Sequence, residues 1–481
     1  MSDSSTTNPA PTGIPRKVIG LAVAGAVGGF LFGFDSSVVN GAVDAIQGQF
    51  VLGDALTGFA VAVALLGCAV GAYMAGKIAD AKGRIPAMKL GGLLFFVSAL
   101  GTGFAFSVYD LIFWRLVGGL GIGLASVIAP AYISEISPRK HRGRLASLQQ
   151  LAITTGIFAA LLSDALFANA AGGAAQTLWF GLPAWRWMFL AAAVPAVAYF
   201  LIALVLPESP RFLVLQGKEE EAAKVFKTIA PHEDTERSIR EIKEAVKEDS
   251  LSAKKGSLRG KRFGLMPVVW IGIILSMLQQ FVGINVIFYY STTLWQAVGF
   301  QEKDSLTISV VTAIVNILVT LVAIALVDRI GRRPILLTGS IGMALSLGTM
   351  ALAFANATGS GSDISLPGSW GPVALVAANI FVVSFGASWG PLVWVLLGEI
   401  FPSRIRARAL GLAAAAQWIA NFIITLTFPS MASASLPLTY GIYALFAVGS
   451  FFFVMFKIPE TNGMSLEQAD TLFVKKPKAA K

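Results

Sequence analysis

Cysteine, histidine and charge are scarce in this chain of 481 residues, which has one cysteine, two histidines and 13% charged residues against 55% hydrophobic ones. A soluble domain carries about a quarter charged residues, so this composition excludes a soluble globular protein and points to a polytopic membrane protein. The single Cys68 excludes an intramolecular disulfide; within an apolar run, it reads as a small packing residue. His141 and His232 fall in polar connections, which argues against a histidine proton relay in the membrane. No nucleophile, metal or phosphate constellation appears, so neither an enzyme nor a cofactor is expected. Residues 1–15 are polar, rich in Pro, Ser and Thr, and lack the parts of a secretory signal.

What the chain has instead is long apolar runs. They start near Val18, Thr57, Ala87, Leu111, Leu145, Arg186, Met266, Ser305, Ile335, Pro372, Ala407 and Pro437. Each is roughly 20 residues, the length that crosses about 30 Å of hydrocarbon, so twelve membrane helices are expected. The formal charge of +10 invites a nucleic-acid reading, but its distribution contradicts one. Lys303 alone lies in a connection on the odd side, Arg115 and Arg186 belong to spans, and every other lysine and arginine lies on the opposite side. The positive-inside rule then places both termini and all basic loops in the cytoplasm of a multi-pass cell-membrane protein. The charge reports topology and contact with anionic lipid.

Two hydrophobic halves flank a charged middle. The expected organisation is a disordered cytosolic tail over 1–16, a six-helix bundle over 17–206, a cytosolic linker over 207–265, a second six-helix bundle over 266–458, and a cytosolic tail over 459–481. Within the linker, Glu219 to Phe226 and Thr235 to Glu248 read as short amphipathic helices, with Ile239, Ile242 and Val246 on one face. Either the segment is a solvated linker, or it is a helical layer that braces the bundles. The halves look duplicated. Asp80 to Pro86 recurs as Asp328 to Pro334, Ser134 to Pro138 with Arg142 and Arg144 recurs as Gly398 to Pro402 with Arg406 and Arg408, and Pro207-Glu208 is echoed by Pro459-Glu460. Parallel six-span repeats are one architecture of secondary transporters.

Asp35 sits inside the first span, in Gly29-Phe30-Leu31-Phe32-Gly33-Phe34-Asp35. A carboxylate at membrane depth costs on the order of 2.5 to 3.5 kcal/mol on insertion scales and calls for a partner. At about 1.5 Å per residue, Asp35 lies roughly 26 Å in from the cytosolic side and Arg115 roughly 8 Å in from the outer face, so the two can meet. An acid that switches charge beside a fixed cation is what a proton-coupled carrier requires. The alternative is two independent charges, with Arg115 reaching the interface.

The blocks Asp80 to Arg84, Glu135 to Arg144, Pro207 to Arg211, Gln279-Gln280-Phe281-Val282-Gly283-Ile284-Asn285, Asp328 to Arg333, Glu399 to Arg406 and Pro459 to Gly463 stand in order at span boundaries. In these the chain resembles the sugar porter family of the major facilitator superfamily along essentially its whole length. The first span and the Trp394 and Gln417-Trp418 region look especially like bacterial glucose and xylose proton symporters. Asn462 and Ile85 depart from the family pattern at the cytosolic face. The resemblance implies an all-α fold of two pseudo-symmetric bundles, with Asp35 as protonation site and Arg115 as its switchable partner.

Sugars carry hydroxyls that donate and accept, so a sugar site needs amides and aromatic faces. Gln279, Gln280, Asn285, Asn316 and Gln417 are amides at suitable depth, and Trp389, Trp394 and Trp418 offer flat surfaces. Amides that merely bridge helices are the alternative. The resemblance implies sugar contacts at Gln150, Gln279, Gln280, Asn285, Asn316, Trp394, Gln417 and Trp418, with Phe32 and Tyr289 lining the outer side. An amide present in some relatives is here Ile157. Gly283 and Gly390-Pro391 interrupt the seventh and tenth spans and read either as static kinks or as hinges. Arg84, Glu135, Arg142, Glu208, Arg332, Glu399 and Arg406 are either plain topology determinants or a cytosolic gate, and the resemblance favours the gate. The expectation is a monomeric, proton-coupled hexose symporter of the alternating-access type, with glucose the first choice. A proton-independent facilitator and a non-transporting sugar sensor are the alternatives.

Overall fold

The computed structural model describes residues 16–137, 142–229, 234–244, 258, 264–358, 365–402 and 405–461. Twelve helices among them are long and apolar enough to cross a membrane. The first six run over Lys17–Val38, Asp54–Lys82, Arg84–Gly103, Val108–Ile136, Ser147–Ala171 and Ala184–Val205. The second six run over Pro267–Tyr289, Glu302–Ala325, Arg332–Ala355, Trp370–Ile400, Arg408–Ala434 and Leu436–Lys457. In hydrocarbon every backbone N–H and C=O must bond within its own segment, so apolar runs of this length become helices. The described residues contain no strand, only the isolated bridges Thr177–Pro183 and Thr358–Ser365.

Packing within each half rests on close approach, because lipid supplies no hydrophobic drive between helices. A Cβ on Gly67 would lie 2.3 Å from the Leu116 carbonyl oxygen, and one on Gly119 would lie 2.0 Å from that of Ala64. The second and fourth spans therefore touch backbone to backbone. At the ends that carry the basic blocks, each half repeats one device. Glu208 accepts the N–H groups of Arg84 at 3.0 Å and Ile85 at 3.1 Å, and Glu460 accepts those of Arg332 at 3.0 Å and Arg333 at 3.1 Å. A carboxylate thus caps the start of the third span and of the ninth, where orphan N–H groups and the helix dipole favour negative charge. The preceding Gly83 and Gly331 have φ of +101° and +97°, a conformation that favours glycine.

The middle segment carries helices at Pro210–Leu215 and Glu219–Ile229, with further helix over 235–244. Leu213, Val214, Ala222 and Ile239 form a small separate core, and Lys243 pairs with Glu219 at 2.7 Å. Among the described residues, these helices pack on one another around that small core. Val246 and both expected tails beyond residue 461 and before residue 16 lie outside the described residues.

A methyl group at Gly83 would stand 2.3 Å from Glu208 Oε2 in a backbone conformation hostile to side chains. Gly83→Ala is expected to lower stability by about 1 to 3 kcal/mol. Thermal unfolding of the detergent-purified protein checks it; an unchanged Tm contradicts the capping role.

Candidate functional site

Asp35 and Arg115 are both buried and line one small cavity with Phe32, Ser36, Cys68 and Tyr289. They do not form the expected ion pair. Arg115 Nε donates to the Ala60 carbonyl at 3.1 Å and Nη2 to that of Val61 at 3.3 Å, and the guanidinium lies 5.6 Å from the Phe189 ring centre. Carbonyls of the second span thus take the donors that a carboxylate would take. The structure brings the two residues together in one cavity while holding the cation elsewhere.

The seventh span breaks where the sequence suggested. Its helix runs over Pro267–Phe281, stops, and restarts as Ile284–Tyr289 after Gly283, whose φ is +83°. A Cβ there would lie 2.6 Å from the Tyr443 ring, so both conformation and space demand glycine. The tenth span breaks before Gly390-Pro391: helix ends at Gly386 and restarts at Trp389, with Ser388 outside the helical region. Pro391 cannot donate toward Ala387, which loosens the preceding turn. Gln279 Nε2 donates across this gap to the carbonyls of Trp389 at 2.8 Å and Gly390 at 3.3 Å. Gln280 donates to Gln279 at 3.3 Å, and Asn285 donates to Gln280 Oε1 at 2.6 Å. A chain of amides therefore links the two broken spans.

The aromatic residues separate. Trp394 is 45% exposed, whereas Trp389 is fully buried and donates its indole N–H to Ser340 Oγ at 2.9 Å. Trp389, expected as a sugar-facing surface, is a packing anchor against the ninth span. The helix restart at Trp389 resets the rotational phase that distance along the sequence had implied. Trp418 meets Phe32 edge-on at 5.7 Å between ring centres, across the two halves. Gln417 Oε1 is buried without a hydrogen-bond partner, and so is Gln149 Oε1 beside the half-buried Gln150. Asn316 and Tyr289 are buried. Among the described residues no group of His, Cys, Asp and Glu is arranged to hold a metal ion.

Among the described residues, the ion pairs of the basic blocks lie within each half. Arg84 pairs with Glu135 through two bonds of 2.9 and 2.8 Å, and Arg332 pairs with Glu399 at 3.2 and 3.0 Å. The side chains of Arg142 and Arg406 lie outside the described residues. Glu460, absent from the expected set, completes the second cluster as Glu208 completes the first; its signal was the repeated Pro-Glu. At the outer side, bonds run between the halves. Asn40 donates to Ser291 Oγ at 2.8 Å and accepts from the Thr292 N–H at 2.9 Å. Asp44 accepts from Thr293 Oγ1 at 2.8 Å and Gln296 Nε2 at 2.9 Å, and Glu302 accepts the Ala174 N–H at 2.7 Å. The outer ends are shut together.

Burial pushes the Asp44 carboxyl above its usual range, the Thr293 bond opposes the rise, and the negative Glu302 adds to it. The shut state therefore binds this proton more tightly than a state in which Asp44 meets water. Closure gains as pH falls toward the ordinary carboxylate range and is weakened as pH rises through the raised value. Sequence reasoning missed Asn40, Asp44 and Glu302, whose only signal was polarity in connections otherwise nearly free of charge. It also missed Asp164, a carboxyl within the fifth span that carries the same signal as Asp35.

Comparison with known proteins places this geometry. The family model described as sugar (and other) transporter matches residues 21–473. A glucose transport protein of Synechocystis sp. is 52% identical over 97% of this chain and 100% of its own length. The xylose transporter of Escherichia coli in an inward-open conformation superposes with a TM-score of 0.81 at 32% identity, covering 95% of this chain and 99% of that one. The proton:xylose symporter XylE bound to 6-bromo-6-deoxy-D-glucose gives 0.76 at 31% identity, covering 95% and 98%.

Trp389→Phe is expected to lower stability by about 1 to 2 kcal/mol through the lost indole bond while leaving sugar affinity intact. Trp394→Ala is expected to do the reverse, which thermal unfolding and equilibrium sugar binding on the two variants distinguish. Asp44→Ala removes two bonds between the halves and should shift the population toward outside-open by roughly tenfold or more. Spin-label distances across the outer ends report it; an unshifted distribution contradicts the latch.

Proposed function

The chain belongs to the sugar transporter family, and we propose that it is a proton-coupled glucose symporter working by alternating access. The observation that carries this reading is Asp35, an intramembrane acid without an ion pair, in a cavity shared with Arg115 and Tyr289 at the seam between the halves. The identity with a glucose transport protein supports the choice of glucose. We read the protein as a monomer in the cell membrane, with both termini cytoplasmic.

In the outside-open state Asp35 is ionised and faces Arg115. A proton from outside neutralises the carboxyl, and Arg115 turns to the Ala60 and Val61 carbonyls, where it is found here. Sugar binds to the amides Gln279, Gln280 and Asn285, with Asn316, Gln417 and Gln150 completing the donors and acceptors. Trp394 and Trp418 cover its C–H surfaces, and Phe32 and Tyr289 stand above it. The outer halves then close, with Gly283 absorbing the change in direction of the seventh span and Asn40, Asp44 and Glu302 latching the seam. A neutral Asp35 tolerates this closure because no bare charge is sealed in hydrocarbon.

On the inner side, opening parts the Arg84–Glu135–Glu208 cluster from the Arg332–Glu399–Glu460 cluster. Each stays whole through the bonds that Arg84 makes to Glu135 and Glu208 in one half and Arg332 makes to Glu399 and Glu460 in the other. Sugar leaves, the proton follows, and Asp35 regains Arg115 as the empty carrier returns. Coupling arises because the outer halves close over sugar only when Asp35 is neutral, and the empty carrier returns with Asp35 ionised and paired to Arg115.

Asp35→Asn mimics the protonated acid permanently. In proteoliposomes it is expected to abolish uphill glucose accumulation, the inside-to-outside ratio falling to unity, while equilibrium exchange of labelled glucose persists. A variant that still concentrates glucose overturns the coupling, and sugar entry without alkalinisation of the outer medium in the unmodified protein would make it a facilitator.

A further inference from the structure

The cycle above uses one intramembrane carboxyl and leaves another idle. Asp164 on the fifth span is 0% exposed. Its Oδ2 accepts the Gly41 backbone N–H at 3.2 Å, and its Oδ1 has no hydrogen-bond partner. A Cβ on Gly41 would lie 2.7 Å from Asp164 Cβ, so the turn after the first span sits directly against the carboxyl. An ionised carboxylate sealed in apolar surroundings with a single neutral donor is far costlier than the neutral acid.

Nearby charges do not relieve it. The spans packed against the fifth carry Asp35, Arg115, Asp110, Arg186 and Glu302 with Lys303 and Asp304 toward their outer ends. Arg115 is held by Ala60 and Val61, Arg186 donates to the Gly103 carbonyl, the Asp110 carboxylate accepts the Phe106 N–H, Glu302 accepts from Ala174, and Lys303 and Asp304 are exposed. Asp44 on the short outer helix Val43–Phe50 is engaged by Thr293 and Gln296.

Position on the helix gives Asp164 a route to solvent. Residues seven apart complete nearly two turns, so Gln150, Ile157 and Asp164 stand one above another on one face. Asp164 is about 21 Å further toward the outside than Gln150. The turn that covers it carries Asn40, whose side chain bonds Ser291 and Thr292 of the other half. That contact joins the halves over this face while the outer ends are shut.

We propose that Asp164 is a second proton-binding site, one that takes a proton from the outer solution as the outer ends shut and returns it there as they open. The carboxylate and one proton become a carboxylic acid on closing, and the reverse occurs on opening. The proton is never carried inward, because Asp164 opens only to the outer side. External acid thereby favours closure, while the ratio of protons to sugar transported stays as Asp35 sets it. This rests on the proposed alternating-access cycle.

The test is a spin-label pair at Phe106→Cys and Leu438→Cys, exposed positions on opposite halves, in a Cys68→Ser chain. With Asp35→Asn, Asp44→Asn and Glu302→Gln removing the acids at the seam between the halves, the ratio of shut to open outer ends should rise with falling pH, by up to about tenfold per pH unit, the limit for one proton. Adding Asp164→Asn should flatten the response. A ratio independent of pH before that substitution, or an unchanged dependence after it, overturns the proposal. Should Asp164→Asn fail to fold, Asp164→Glu must move the midpoint, and a fixed midpoint is equally fatal. Failure of the proton-coupled reading shows separately, as uphill accumulation by the single variant Asp35→Asn.

Discussion

Hydrocarbon offers a polar atom nothing to bond, and the rest of this structure depends on that constraint. Polar groups here are satisfied by a neighbouring backbone, by another side chain, or left open where a ligand or proton completes them. Arg115 illustrates the first solution on the Ala60 and Val61 carbonyls, and the Gln279, Gln280 and Asn285 chain illustrates the second. Gln417 Oε1 and Asp164 Oδ1 illustrate the third.

Rigidity is distributed so that motion has few places to go. The glycine contacts of the second and fourth spans and the Glu208 and Glu460 caps bind helices within each half. Bonds between halves at the outer face are fewer and are made by neutral groups or acids to hydroxyl, amide and backbone donors, which water replaces at modest cost. The helix breaks at Gly283 and Ser388 fall beside the amide chain. In the proposed cycle, bending there moves the amides without unpacking either bundle.

The twelve spans, the duplicated cytosolic blocks and the break at Gly283 were legible because each follows from local composition. Asp35 was legible because a carboxyl in an apolar run is costly wherever it points. Trp389 and Trp394 stand five residues apart on one helix, about 140° apart around its axis, but the break before Trp389 hid which of the two faces meets the ninth span. The bond between Arg115 and the second span was hidden for a related reason: backbone carbonyls accept without leaving any mark on the sequence. Asn40, Asp44 and Glu302 were ordinary polar residues until the two halves met.

Family membership, the transmembrane organisation and the sidedness of charge were therefore fixed by residue order, because hydropathy and motif spacing act over one helix at a time. Which acid keeps a partner, which tryptophan faces the open side and which ends of the bundles are shut were decided by the packing of helices far apart in the chain. Those outcomes depend on rotational phase and on contacts between the halves, and neither is encoded by any single segment.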